Sequence, residues 1–235
     1  MVSEAGKEFS REQFQTPAGR RRAWRNLILT DHGILRSFYD NTHAVVEGRM
    51  WRTYQPGPKR LYRWKQKGIK TVINLRGSKP SGFLRLEEEA CEKLGLHLET
   101  FRAYSRDAPS IEILHSARAL FERIEYPAIM HCKSGADRAG LMSALYLFYQ
   151  EGTALDEALQ QLSLRYGHVR HGKTGVIDYA FQLYLSYANE NRIALNDCDA
   201  FLDWVDTRYD PVKTKNDFQS TWWGTLLTER ILRRE

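Results

Sequence analysis

The chain has little cysteine, three residues in 235: Cys91, Cys132 and Cys198. That is too few for a disulfide scaffold, and neither Cys91 nor Cys198 has a Cys-x-x-Cys partner. The seven histidines are scattered without metal-ligand spacing, so no metal and no cofactor is expected. No apolar run approaches the ~20 residues needed to cross a bilayer, and the first residues lack the apolar core of a signal peptide. Zinc spacing, an RNA-binding aromatic signature and a helix-turn-helix are missing as well, which argues against a nucleic-acid partner.

What is present suits an α/β enzyme. With 42% hydrophobic and 27% charged residues, the chain can bury one substantial core plus peripheral helices. Its net charge of +6 favours anionic partners, phosphorylated substrates and anionic membranes among them. Val72, Ile73 and Leu75 form a short apolar run closed by Gly77, as a buried parallel strand reads. Residues 97–101 and 127–131 give two further strands, with helical stretches near 84–94 and 111–124 between them. Strands alternating with helices imply a central, mostly parallel sheet flanked by helices.

The last of these strands runs directly into His131-Cys132-Lys133-Ser134-Gly135-Ala136-Asp137-Arg138, after which a helical pattern begins. Cysteine and arginine six positions apart, on a tight loop opening a helix, make a cradle for a tetrahedral oxyanion. Loop N–H groups and the helix N-terminus supply partial positive charge, which also favours the thiolate of Cys132. Arg138 offers a planar fork for two phosphate oxygens. Gly135 lets the backbone turn close to the ligand.

The His-Cys-x-x-Gly-x-x-Arg segment resembles the signature of the cysteine-dependent protein tyrosine and dual-specificity phosphatases. Tyr54-Gln55-Pro56-Gly57-Pro58 and the stretch from Gly68 to Gly77 are similar to the early strands of compact bacterial members, so the resemblance covers roughly residues 45–190. It implies that Cys132 attacks phosphorus, that Arg138 and the loop Lys133–Asp137 bind the phosphoryl group, and that His131 supports the loop. It also implies an aspartate acid on an earlier loop. Ser105-Arg106-Asp107-Ala108-Pro109-Ser110 lies where that loop is expected, and Asp-x-Pro resembles the acid loops of several dual-specificity phosphatases. Asp107 also suits a turn or helix N-cap, and both readings are open. Gln55, Asn74 and Arg76 are candidates for supporting roles.

Two positions depart from the commonest family pattern. Ala139 stands where most members have Ser or Thr, whose hydroxyl assists departure of the thiolate. Asp137 precedes the arginine, as in some lipid phosphatases, and Lys133 matches a lysine of tensin-type lipid phosphatases. A phosphoprotein and a phospholipid or inositol-type substrate are both compatible with this, and Lys133 and Asp137 equally suit solvated loop charges.

Outside the loop, residues 1–19 are polar and expected to be disordered, residues 20–190 to form the catalytic domain, and residues 191–235 to pack on it as a helical extension rich in aromatics. Arg20-Arg21-Arg22-Ala23-Trp24-Arg25 opens an apolar stretch. It reads either as peripheral contact with an anionic membrane or as a helix covering the sheet, its apolar face continued by Ile34, Leu35 and Phe38. The helix after Arg138 should stop at Gly152, with Thr153 capping the next. The basic turn from Tyr166 to Gly175 either borders the pocket or is a surface loop. Cys91 either packs in the core or pairs with Cys132 under oxidation, as the resemblance allows. A reactive thiol suits the cytoplasm. The oligomeric state is left open. A non-catalytic phosphate-binding module and a thiolate sulfurtransferase are the rival classes.

Overall fold

The computed structural model describes residues 9–30 and 40–220. Among these residues five strands form one sheet: β1 (His43–Val46), β2 (Met50–Tyr54), β3 (Thr71–Asn74), β4 (His97–Thr100) and β5 (Ala128–Cys132), in the order β1-β2-β5-β3-β4. Only β1 is antiparallel, pairing β2 as a hairpin with an irregularity between Ala44 and Val46. The other pairings are parallel. This is the α/β, mostly parallel sheet with flanking and C-terminal helices that the alternating pattern implied. All five residues of β5 and all four of β3 are buried, which is why both read as continuous apolar runs rather than alternating ones.

The described residues divide into two compact units, one made of those up to Ala103 with Ile124–Ala139, the other of Tyr104–Arg123 with those from Gly140 onward. The first unit holds the whole sheet. One sheet face, with Trp51, Val72, Leu98 and Ile129, packs on Leu61 and Trp64 of helix α3 (Pro58–Gln66) and on Ala90 and Cys91 of helix α4 (Gly82–Leu94). Helix α4 starts at Ser81, whose hydroxyl accepts the Leu84 N–H, and stops at Gly95, which adopts φ +59°; a glycine takes that left-handed turn without strain.

Residues 9–19, within the segment expected to be disordered, are helical from Arg11. Helices α1 (Arg11–Gln15) and α2 (Pro17–Arg25) follow a capping box between Ser10 and Gln13 and a Thr16 cap with Pro17 in the first turn. The cause is apolar anchoring: Phe9, Phe14, Ala23 and Leu27 bury against Leu86 of α4. The approach is close enough that a Cβ on Gly82 would sit 2.7 Å from the Ala23 Cα. Helix α2 therefore covers a helix, where the sequence suggested the sheet. Ile34, Leu35, Phe38 and residues 1–8 lie outside the described residues.

The second unit is helical: α5 (Ile111–Arg123), most of α6 (Asp137–Glu151), the single turn α7 (Leu155–Ala158), α8 (Val176–Asn191), α9 (Cys198–Thr207) and a helix over residues 211–220. Helix α6 ends at Gly152 with φ +64°. Ala154, and not Thr153, stands at the N-cap of α7, without a side-chain cap, and the Thr153 N–H donates to the Leu147 carbonyl at the end of α6. Phe201 of α9 packs on Phe148, Tyr184 and Trp204, and Arg118 of α5 pairs with Asp199 at 2.8 Å. The aromatic residues of the C-terminal extension are thus core-forming as far as Tyr209; Trp222 and Trp223 lie outside the described residues.

Candidate active site

The register of the sheet builds the site. β5 lies between β2 and β3, with Cys132 opposite Tyr54 and His131 opposite Asn74. The chain therefore leaves three adjacent parallel strands at one edge, where the carboxyl ends of such strands gather their loops. The segment after β5 turns within four residues into α6, whose first residue is Asp137.

Within this turn Cys132 is 2% exposed, and its Sγ accepts a hydrogen bond from the Gly135 N–H at 3.2 Å. Gly135 has φ +75°. A Cβ there would meet the Thr53 carbonyl carbon at 2.9 Å, so the turn admits glycine alone. Arg52, fully buried on β2, fastens the loop: its Nη2 donates to the carbonyls of Gly135 and Ala136, each at 2.8 Å. Asn41 Nδ2 donates to the Ser134 carbonyl at 3.0 Å, and the Gln55 N–H reaches the Lys133 carbonyl at 3.4 Å. With its carbonyls occupied in this way, the loop keeps N–H groups for other work. Lys133, Asp137 and Arg138 are half-buried and Ser134 is exposed. Among the described residues no carboxylate pairs with Arg138.

Behind His131 stands a buried polar chain. His131 Nε2 lies 2.6 Å from Glu87 Oε1, both side chains being fully buried. The contact is close but not aligned as a hydrogen bond. Gln55 Nε2 donates to the same carboxylate at 3.2 Å, and Arg76 Nη1 donates to Gln55 Oε1 at 2.9 Å. The Arg76 N–H in turn reaches Asn74 Oδ1 at 2.8 Å, and its guanidinium lies 3.6 Å over the Phe83 ring. Gln55, Asn74 and Arg76 are thus linked to His131 through Glu87.

Glu87 and Arg52 were not singled out from the sequence. Glu87 belongs to Glu87-Glu88-Glu89, which looks like a solvated helix face; its three-residue spacing from Leu84 and Ala90 is the signal that it shares the apolar face. Arg52 carried no such signal. Burial and, less strongly, the Glu87 charge push the Cys91 thiol up to about 12. Cys91 belongs to the core between α4 and the sheet, and all three cysteines are free.

Asp107 belongs to the second unit, in the bend before α5. It is not a helix cap, since Ser110 takes that role by accepting the Ile113 N–H at 3.2 Å. Lys215 pairs with Asp107, and the Tyr209 hydroxyl donates to the Pro109 carbonyl at 2.8 Å. The basic turn is organised on α8: His168 Nε2 lies 2.6 Å from Asp178 Oδ2, and Arg170 Nε 3.0 Å from Asp178 Oδ1. Among the described residues, no group of three or more His, Cys, Asp or Glu is arranged to hold a metal, and no helix is long and apolar enough to cross a membrane.

Comparison with known proteins adds a family to this geometry. No curated protein matches the chain. Among solved structures it is similar to TpbA of P. aeruginosa, at 20% identity and a TM-score of 0.47, over 57% of this chain and 80% of that one. It is also similar to Tk-PTP in its active form, at 23% identity and a TM-score of 0.43, over 52% of this chain and 82% of that one. A family model described as "DSP-PTPase phosphatase fused to NAD+ Kinase" matches residues 29–175. That span is more than half of the sequence and takes in the Cys132 loop, the strands on either side of it and Asp107, so the chain belongs to this DSP-PTPase phosphatase family.

Proposed function

We propose that the chain is a metal-independent phosphomonoesterase that works through a phosphocysteine intermediate. The observation carrying this reading is the Gly135 N–H donated to Cys132 Sγ in a loop pinned from below by Arg52. A buried sulfur that accepts a backbone N–H in a loop opening a helix is held in place as the nucleophile.

In the first step Cys132 Sγ attacks phosphorus in line. The S–P bond forms as the bond to the leaving oxygen breaks, and Asp107 gives that oxygen its proton. Arg138 and the N–H groups from Lys133 to Asp137 hold the equatorial oxygens. In the second step water attacks phosphorus, Asp107 takes its proton, and the thiolate departs. His131, backed by Glu87, fixes the strand end from which Cys132 projects.

The substrate is a phosphotyrosine or phosphoserine protein or a phosphoinositide-like lipid, and Lys133 with the basic surface suits either. Hydrolysis of an aryl phosphate by wild type and Cys132→Ser in EDTA tests the reading. Activity that survives EDTA and is lost with Cys132→Ser is expected, and a panel of phosphotyrosine peptides and phosphoinositides then selects the substrate class. A wild type inert toward all of them, with a Cys132 that alkylates readily, would reject it.

A further inference from the structure

We propose that the C-terminal extension holds the acid loop in place, with Tyr209 and Lys215 as positioning residues for Asp107. The proposal rests on the reading of Asp107 as the general acid.

Two contacts of different kinds reach the same short loop. Tyr209 is 7% exposed, its ring lies 5.2 Å from that of Trp204, and its hydroxyl donates to the Pro109 carbonyl inside the protein. Burial pushes that hydroxyl well above its ordinary value, so it remains a donor throughout the working pH range. Six residues later Lys215 pairs with the Asp107 carboxylate, both side chains being partly exposed. The spacing is set by Asp210, whose carboxylate accepts the N–H groups of Val212 and Lys213 at 2.9 Å each and so starts the helix that carries Lys215. Thr214, on the same turn, is buried.

The loop between Asp107 and Ser110 is therefore fastened three times: by Lys215 at its first residue, by Tyr209 at Pro109 and by the α5 cap at Ser110. A proton donor must stand within hydrogen-bond reach of one oxygen. A partly exposed aspartate on an untethered loop would spend most of its time elsewhere, and ordering it in advance raises the fraction of productive encounters. Lys215 holds Asp107 while it is a carboxylate and releases it as the proton is taken up, so what Lys215 and Tyr209 supply is the position of the loop; removing a tether should therefore harm only the reactions that need the proton.

The test uses the full chain and two substrates, phenyl phosphate, whose leaving group needs a proton, and dinitrophenyl phosphate, whose leaving group does not. Tyr209→Phe and Lys215→Met should each lower kcat/KM for phenyl phosphate about tenfold while changing dinitrophenyl phosphate less than about twofold, a fraction of the ~10² to 10⁴ that general acid catalysis provides. Lys215→Arg should restore the rate, and Lys215→Met should add no further loss to Asp107→Asn. Amide exchange over residues 104–110 should quicken in both single variants. Unchanged exchange, or equal losses on both substrates, would overturn the proposal. If exchange quickens but Asp107→Asn treats both substrates alike, the tether is real, the acid reading is at fault, and the catalytic role of Tyr209 and Lys215 falls with it.

Discussion

Glu87 Oε1 stands 2.6 Å from His131 Nε2, and neither side chain has any exposure to solvent. A helix thereby delivers an acid to the residue immediately before Cys132. Glu87→Leu takes the acceptor from Gln55 Nε2, and a buried polar group left unsatisfied costs about 1 to 3 kcal/mol, so a loss of stability of about 2 kcal/mol is expected, read from urea unfolding. Glu87→Gln keeps an acceptor for Gln55 and should lose less. Glu87→Leu should also reduce kcat, since His131 no longer has its fixed neighbour, and Glu87→Gln should reduce it less. An unchanged unfolding midpoint in Glu87→Leu would show that the pair contributes nothing.

Arg52 gives the second prediction. Its guanidinium is the donor to the carbonyls of Gly135 and Ala136 and is buried within β2. Arg52→Met fills much of the volume but supplies no donor, and each unsatisfied buried carbonyl costs about 1 to 3 kcal/mol. Loss of both phosphatase turnover and phosphate binding is expected, with the far-UV circular dichroism retained. Arg52→Lys restores one donor and should recover part of the phosphate affinity, measured by calorimetry. Normal phosphate affinity in Arg52→Met would mean the loop holds its shape unaided.

The reasons some of this was legible in the sequence, and some not, are physical. β3 and β5 are buried on both faces, so Val72, Ile73 and the run into His131 stood out as apolar stretches, and the Cys132–Arg138 spacing marked the loop. Helix α6 could be followed to Gly152 because its end needs a left-handed residue. Glu87 was hidden because composition suggests solvent for three consecutive glutamates, while helical geometry turns the first of them inward. Arg52 was hidden because its burial depends on carbonyls more than eighty residues away, and a local pattern cannot carry such a partner. Helix α1 was missed for a similar reason: Phe9 and Phe14 are sparse within a polar segment, and their value lies in the α4 surface that receives them.

Ala139 supplies the third prediction. It is fully buried in the first turn of α6, directly after Arg138, and brings no hydroxyl to the sulfur. On the proposed mechanism, departure of the thiolate should then be the slower half of the reaction. Rapid mixing with an aryl phosphate should show a burst of released alcohol comparable to the enzyme concentration, followed by slower steady turnover. Ala139→Ser should shrink the burst and raise the steady rate. Release that is linear from the first turnover in wild type would show that Ala139 does not limit phosphoenzyme hydrolysis.

The fourth prediction separates the cysteines. Burial, reinforced by the Glu87 charge, pushes the Cys91 thiol from its ordinary value near 9 up to about 12. At neutral pH it is therefore a protonated core side chain, and iodoacetamide should leave it unmodified in the native protein while labelling Cys132. Vanadate, which mimics phosphate in the loop, should block the Cys132 label. The same shift links to stability. Below the ordinary value both folded and unfolded chains hold the Cys91 proton, and this group gives no pH dependence. Between that value and about 12 only the folded chain holds it, so its contribution to stability is lost as pH rises through this window. Unfolding midpoints in urea should accordingly fall more steeply between about pH 8 and pH 10 for wild type than for Cys91→Val, which has no proton to lose. Equal slopes in the two proteins would place the alkaline sensitivity elsewhere, and rapid labelling of native Cys91 would mean that the contact between α4 and the sheet opens far more readily than its packing implies.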